Sequence, residues 1–294
     1  KFINRSTKGV YELGSVFKTF TLAAGLQQNV IQEDTLFKNL PKKIKCAGRS
    51  ISEYDMDIPS SLTAEEILIR SGNIGSIKIA QKVGLENFKE FLENLDLLNK
   101  IQFDIEEVGN PIPFKWGKCK LATSAYGHGI TTTPLQLAKA YAIIANGGYK
   151  IKPTLIKKEK NLKRGEQIIT QENSNKINEI LRKIVTSKQG TANLANIAGY
   201  EIAGKTGTAQ KSIMGKYSKK KINTFASIFP ISSPKYVLIV LLDEPKLSET
   251  YIYEYNDGKK RKIVGTPFNT AGWTSVEVAK NIIEKIGPIL AINY

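Results

Sequence analysis

The sequence predicts a mixed α/β fold of the α+β type, with an antiparallel sheet covered by helices. Two observations carry this. Segments of helical spacing fill the first two thirds of the chain, and three strand-like runs then follow in succession before one closing helix. A third is size: 294 residues, 41% of them hydrophobic, suffice to bury a large core.

The first helical signal starts at Ser15, where Phe17, Phe20, Thr21 and Ala24 recur at i, i+3, i+4 and i+7 and predict one buried face. Gly14 permits a tight turn before it. Ser15 falls at the N-terminal end, where free N–H groups favour developing negative charge. A second helix starts at Thr63, which forms a capping box with Glu66 ahead of Ile67, Leu68 and Ile69. It stops at Ser71-Gly72-Asn73, and a new pattern runs through Ile74, Ile77 and Ala80 to Gly84, so the triplet lies in a turn between helices. Thr133, Pro134 and Gln136 open another helix, carried by Leu137, Tyr141 and Ile144 and ended by Asn146-Gly147-Gly148. Glu179 to Val185 is a further amphipathic helix.

Tyr200 to Gln210, Asn223 to Pro230 and Lys235 to Asp243 are the three strands. The last is apolar on both faces, which predicts a central position in a covered sheet. Ser275 to Leu290 supplies the closing helix, and Phe37 to Pro59, Asp104 to Lys118 and Glu244 to Thr270 read as loops. The chain is therefore expected to form one domain over 1–294, with a helical lobe about 30–195 and strands and helix about 198–294.

Composition narrows the function. No run approaches the roughly 18 apolar residues of a membrane-spanning helix, so the chain as it stands is expected to be soluble. It starts at Lys1 without methionine, as a piece of something longer would. Cys46 and Cys119 lack metal-ligand spacing and have a single histidine, His128, to recruit, which argues against a metal site. A disulfide between them is permitted, but single thiols are the preferred reading. The net charge of +16 gathers at Lys157 to Arg164, Lys216 to Lys221 and Lys259 to Lys262. These runs fall between periodic segments, as solvated loops do, and lack the interleaved aromatics of a single-strand nucleic-acid platform. An anionic membrane or cell-wall surface suits that charge better than nucleic acid.

Three short motifs occur in order: Ser15-x-x-Lys18, Ser71-x-Asn73 and Lys205-Thr206-Gly207. A serine hydroxyl is a poor nucleophile until a base takes its proton, and Lys18 stands one helical turn away on the same face. Lys18 must lose its charge to act as that base, which burial and a second cation, Lys205, would favour. Ser71 can relay a proton to a leaving amine, and the Asn73 amide can align a substrate peptide bond. Thr206, Gly207 and Thr208 offer backbone to an extended substrate, and the N–H groups of Ser15 and Thr208 fit an oxyanion hole. The Thr206 and Thr208 hydroxyls, with the Lys205 charge, could hold a terminal carboxylate.

Each motif alone is weak, but the set in this order resembles that of class A β-lactamases and penicillin-binding proteins. Tyr11-Glu12-Leu13-Gly14-Ser15-Val16-Phe17-Lys18, Tyr126-Gly127-His128-Gly129-Ile130 leading into Thr133-Pro134-Leu135-Gln136-Leu137-Ala138, and Ala203 to Gln210 resemble class B penicillin-binding proteins. Phe229-Pro230 through Asp243-Glu244-Pro245 is most similar to the septal, cell-division branch. The resemblance covers essentially the whole chain and implies a β-lactamase/transpeptidase-like fold. It implies a peptidoglycan D,D-transpeptidase that needs no cofactor, acylates Ser15 with a stem peptide and reacts with β-lactams. It further implies septal cell-division partners, a periplasmic-face location and an upstream membrane anchor. Family members place two strands of the sheet before the nucleophile helix, so those N-terminal strands are expected to be missing here.

Leu13, Gly72 and His128 depart from the family pattern, and none removes a catalytic group. His128 reads as an ordinary loop residue in preference to a contact on the cleft rim. A serine β-lactamase would need a residue such as Glu106 to position a deacylating water, but the surrounding Glu106 to Pro111 resembles a family loop without that role.

Overall fold

A computed structural model describes residues 2–157, 164–213, 216–256 and 260–292. A 3-10 turn at Gly14–Phe17 leads into α1 (Lys18–Gln27). Short strands β1 (Leu36–Phe37), β2 (Lys43–Cys46), β3 (Arg49–Ser52) and β4 (Leu62–Thr63) follow, then helices α2 (Ala64–Ile69), α3 (Asn73–Val83), α4 (Leu85–Asn94), α5 (Lys118–Ser124), α6 (Pro134–Ala145) and α7 (Gln171–Thr186). The remainder holds β5 (Ala203–Ile213), β6 (Lys216–Phe229), β7 (Tyr236–Asp243), β8 (Ile252–Asn256), β9 (Lys260–Val264) and α8 (Ser275–Ile292).

Both predicted capping boxes form. Thr63 Oγ1 accepts from Glu66 N, Thr133 Oγ1 accepts from Gln136 N, and Pro134 takes the first helical position. The first helix differs from its expected one-sided burial, since every residue from Lys18 to Leu26 is buried. Its neighbours α3, α4 and α7 pack around it. It is a central helix, and its few polar side chains are enclosed with the rest. The amphipathic helix expected at Glu179 begins earlier, at Gln171, where Thr170 caps it.

The large sheet is antiparallel in the order β5-β6-β7. In register, Lys205 faces Ala226 and Gly207 faces Thr224, and a bulge interrupts the ladder between Gln210 and Ser212. β6 is the central strand, and β7 is an edge among the described residues, contrary to its expected place. Helices α6 and α8 both pack on β7, so apolar residues on both faces do not require a strand on each side. Two hairpins also occupy expected loops. β2 pairs with β3 inside Phe37 to Pro59, and β8 pairs with β9 inside Glu244 to Thr270. The basic run from Lys216 to Lys221 lies on β6, where Lys220 pairs with Glu244. Lys260 to Lys262 lie on β9, while 158–163 and 257–259 lie outside the described residues.

Cys46 and Cys119 are joined in a disulfide, with Cα atoms 5.6 Å apart. The reading of both as single thiols is therefore corrected: folding brings the β2–β3 hairpin against the start of α5, a long-range approach that no local spacing encodes. Among the described residues no cluster of potential metal ligands forms, and no helix is long and apolar enough to cross a membrane.

Candidate active site

Tyr11 bridges to Thr132, which anchors the segment ahead of the 3-10 turn, and Leu13 is buried beneath it. The turn then presses on β5 so closely that a Cβ on Gly207 would lie 2.2 Å from the Leu13 carbonyl oxygen. From the other side, a Cβ on Gly127, whose φ is +81°, would lie 1.9 Å from the Gly14 oxygen. Only glycine satisfies both approaches. Ser15 is thereby set beside Thr208 on the wall of a cleft of about 880 Å³ that Ser71, Asn73 and Thr206 also line.

The turn between α2 and α3 carries Ser71 in a left-handed conformation, φ +59°. Such backbone costs a non-glycine residue about 1–2 kcal/mol and turns its side chain toward the lysines. Lys18 Nζ donates to the Ser71 carbonyl and, at 3.2 Å, to Ser71 Oγ. Lys205 Nζ donates to the same Oγ at 2.8 Å and to the Thr206 carbonyl at 3.1 Å. The Ser71 hydroxyl is thus held between two buried amines. Burial lowers Lys18 from 10.5 to about 7, with the nearby Glu53 carboxylate opposing the shift. Lys205 is pushed well below its usual value, first by burial and then by the charge of Lys18. A neutral amine at neutral pH is the species that can accept a hydroxyl proton.

The expected residues therefore converge, with two changes of detail. The Lys18 amine engages Ser71, and Lys205 is enclosed behind Thr206, so its charge acts from within the wall. The Thr206 hydroxyl shares a 2.6 Å hydrogen bond with Thr191 Oγ1, and Thr208 Oγ1 accepts from Ala271 N at 3.0 Å. The Asn73 side chain donates to the Ser52 carbonyl at 2.8 Å, which fixes its amide at the cleft edge.

His128 does line the cleft, against the preferred reading of it as an ordinary loop residue. Its ring stacks between Tyr126 at 5.7 Å and Tyr217 at 4.4 Å. Glu12 ties that rim together by accepting from Gly129 N and the Tyr217 hydroxyl. Burial, and next the Glu12 charge, push the Tyr126 phenol up to about 12, so it stays neutral. The lining includes a second aromatic pair, with Tyr255 stacked on Trp273 at 5.7 Å. The sequence reading passed over Glu53, Thr191, Tyr255 and Trp273. The run Ile252, Tyr253, Glu254 and Tyr255 is a strand signal that could have exposed Tyr255. Glu53 has no comparable local signature.

Known proteins are similar to this chain in sequence and fold. The penicillin-binding protein transpeptidase domain matches residues 1–268. The chain is 30% identical over 301 residues to the probable peptidoglycan D,D-transpeptidase FtsI of Caulobacter vibrioides, covering 99% of this chain and 48% of that protein. Against stage V sporulation protein D of Bacillus subtilis it is 29% identical over 253 residues, 80% of this chain and 38% of the relative. The chain spans about half the length of the curated relatives it matches. Among solved structures, the transpeptidase domain of Burkholderia pseudomallei penicillin-binding protein 3 superimposes with a TM-score of 0.80 at 25% identity, covering 96% of this chain and 82% of that one. With its Ser15, Ser71 and Lys205 motifs gathered at one cleft, the chain belongs to the penicillin-binding protein transpeptidase domain family.

Proposed function

We propose that the chain is a serine D,D-transpeptidase that cross-links peptidoglycan stem peptides through an acyl-enzyme on Ser15. The observation that carries this is the Ser71 hydroxyl held between the buried amines of Lys18 and Lys205, 3.2 and 2.8 Å away. Ser15 Oγ attacks the carbonyl of the penultimate D-Ala while neutral Lys18 takes its proton. The backbone N–H groups of Ser15 and Thr208 hold the oxyanion. The bond to the terminal D-Ala then breaks as Ser71 passes its proton to the departing amine and recovers one from Lys18, with Lys205 supporting that hydroxyl. An amine of a neighbouring stem attacks the ester and frees Ser15. Asn73 aligns the donor peptide, Thr206, Gly207 and Thr208 pair with its backbone, and the same attack would open a β-lactam ring.

A hydrolytic role through Glu106 has less support, because Glu106 lines a separate cavity with Asp104 and Lys152. A septal role rests on the similarity to FtsI and on the segment from Phe229 to Pro245. The similarity to a sporulation protein leaves that role a narrower claim than the chemistry. We extend the reading to action at the periplasmic face, with an anchor upstream and cell-division proteins as partners.

The test is labelling with a fluorescent penicillin. Wild-type protein is expected to carry one label that Ser15→Ala abolishes, and a chromogenic β-lactam is expected to stop reacting at about one equivalent. Sustained turnover would replace the transpeptidase reading with a hydrolase.

A further inference from the structure

Helix α3 begins without a cap of its own. Its N-cap residue is Gly72, which has no side chain to offer, and no side-chain cap is present there. The free amides at the start of α3 are satisfied from 20 residues away. Glu53, just beyond β3, accepts from Asn73 N at 2.6 Å and from Ile74 N at 2.8 Å. Its neighbour Ser52 takes the Asn73 side chain on its carbonyl at 2.8 Å. Main chain and side chain of Asn73 are therefore both held by one end of the β2–β3 hairpin.

The same carboxylate answers a second need. Lys18 and Lys205 are almost wholly buried, at 1% and 0% exposure, and buried ammonium groups require an opposite charge. Glu53, itself 8% exposed, is the anion whose charge acts on Lys18, and it favours the protonated amine. The other charged group acting within this cluster is Lys205 on β5, which stands against Lys18. Arg70, next to Ser71, also lines the cleft. Helices α2, α3, α4 and α7, which pack around α1, add no charged partner of Lys18 among the described residues, Glu65 and Glu66 of α2 included.

We propose that Glu53 is a positioning residue for the reaction at Ser15: it orients Asn73 through the start of α3 and is the counter-charge that sets how readily the Lys18–Lys205 pair holds its proton. This rests on the acyl-enzyme reading given above. Glu53 touches no reacting atom, so its influence passes through Lys18 and Asn73. One carboxylate among two amines balances one proton, which leaves one amine neutral to serve as the base. The arrangement makes the β2–β3 hairpin, outside all three sequence motifs, part of what tunes the site.

The test is a titration of Lys18 followed by 13Cε NMR in lysine-labelled protein, beside the pH dependence of Ser15 labelling by fluorescent penicillin. In Glu53→Gln the Lys18 midpoint is expected to fall by about one pH unit, and the rising limb of the labelling rate to move down with it. Well below both midpoints, that makes an about tenfold larger fraction of neutral Lys18. Glu53→Asp keeps the charge farther away and is expected to shift both in the same direction by less. A purely structural cap would lower the melting temperature and leave the Lys18 midpoint in place. If neither variant moves the midpoint, the proposal is overturned, and if Glu53→Gln does not fold, Glu53→Asp decides alone. Absence of labelling in wild-type protein would instead sink the acyl-enzyme reading, while the NMR titration would still decide the role of Glu53.

Discussion

An amine that keeps its proton up to pH 10.5 in water and only to about 7 in the folded chain makes stability depend on pH. The sign follows from where the proton is bound. Between pH 7 and 10.5 the unfolded chain holds a proton on Lys18 that the folded chain has released, so rising pH favours folding. Below about pH 7 both states are protonated and the dependence ends. Subtracting the unfolding free energy of Lys18→Met from that of wild type should isolate a slope of up to about 1.4 kcal/mol per pH unit. Urea unfolding between pH 7 and 9.5 is the measurement, and a flat difference would contradict the lowered amine. At this scale the sequence was informative for Ser15, Lys18, Ser71, Asn73 and Lys205, because their chemistry is tied to short spacings. It was silent on Glu53, whose task is defined by a helix start 20 residues later in the chain. Thr191 was equally invisible, since its partner, the Thr206 hydroxyl, is set by how the segment after α7 packs on β5.

The elements around the cleft depend on contacts too close for a side chain. Gly127 combines a positive φ with a Cβ position 1.9 Å from backbone, and backbone cannot step aside as a flexible side chain would. Gly127→Ala is expected to cost about 1–3 kcal/mol and to slow Ser15 acylation, as measured by denaturant unfolding and by labelling rate. Unchanged labelling would show that the 3-10 turn tolerates displacement. Helices α2 and α6 were legible because capping boxes at Thr63 and Thr133 mark their starts chemically. The four-residue strands β2 and β3 were not. Ile44, Cys46 and Ile51 alternate too briefly to separate a hairpin from a loop, and the packing of Ile51 in the core with Ile44 and Cys46 against it decides the outcome. Helix α5 is seven residues long and buries Leu121, Ala122 and Ser124, a pattern too short to register as periodic.

Across the whole molecule, the order of helices, strands and closing helix predicted the layered fold, but the place of β7 within it did not follow from its composition. Coverage by α6 and α8 gives an edge strand the apolar character of a central one. The pairing of Cys46 with Cys119 was hidden for a related reason, since it depends on two distant segments meeting. It closes a loop spanning 73 residues, and such a bond typically stabilises by about 2–4 kcal/mol. Thermal unfolding with and without reductant, compared with the Cys46→Ser, Cys119→Ser double variant, should show that loss, and equal melting points would contradict it. The bond also fastens the hairpin that carries Glu53, so reduction is expected to slow acylation along with lowering the melting point.

That bond would also report the redox compartment in which the chain folds. Glutathione and thioredoxin keep cytosolic thiols reduced, whereas compartments beyond the inner membrane oxidise them. Protein recovered from a reducing cytosol and protein exported before folding would share every residue and differ in one covalent link. Their electrophoretic mobilities without reductant would then report the route each chain had taken.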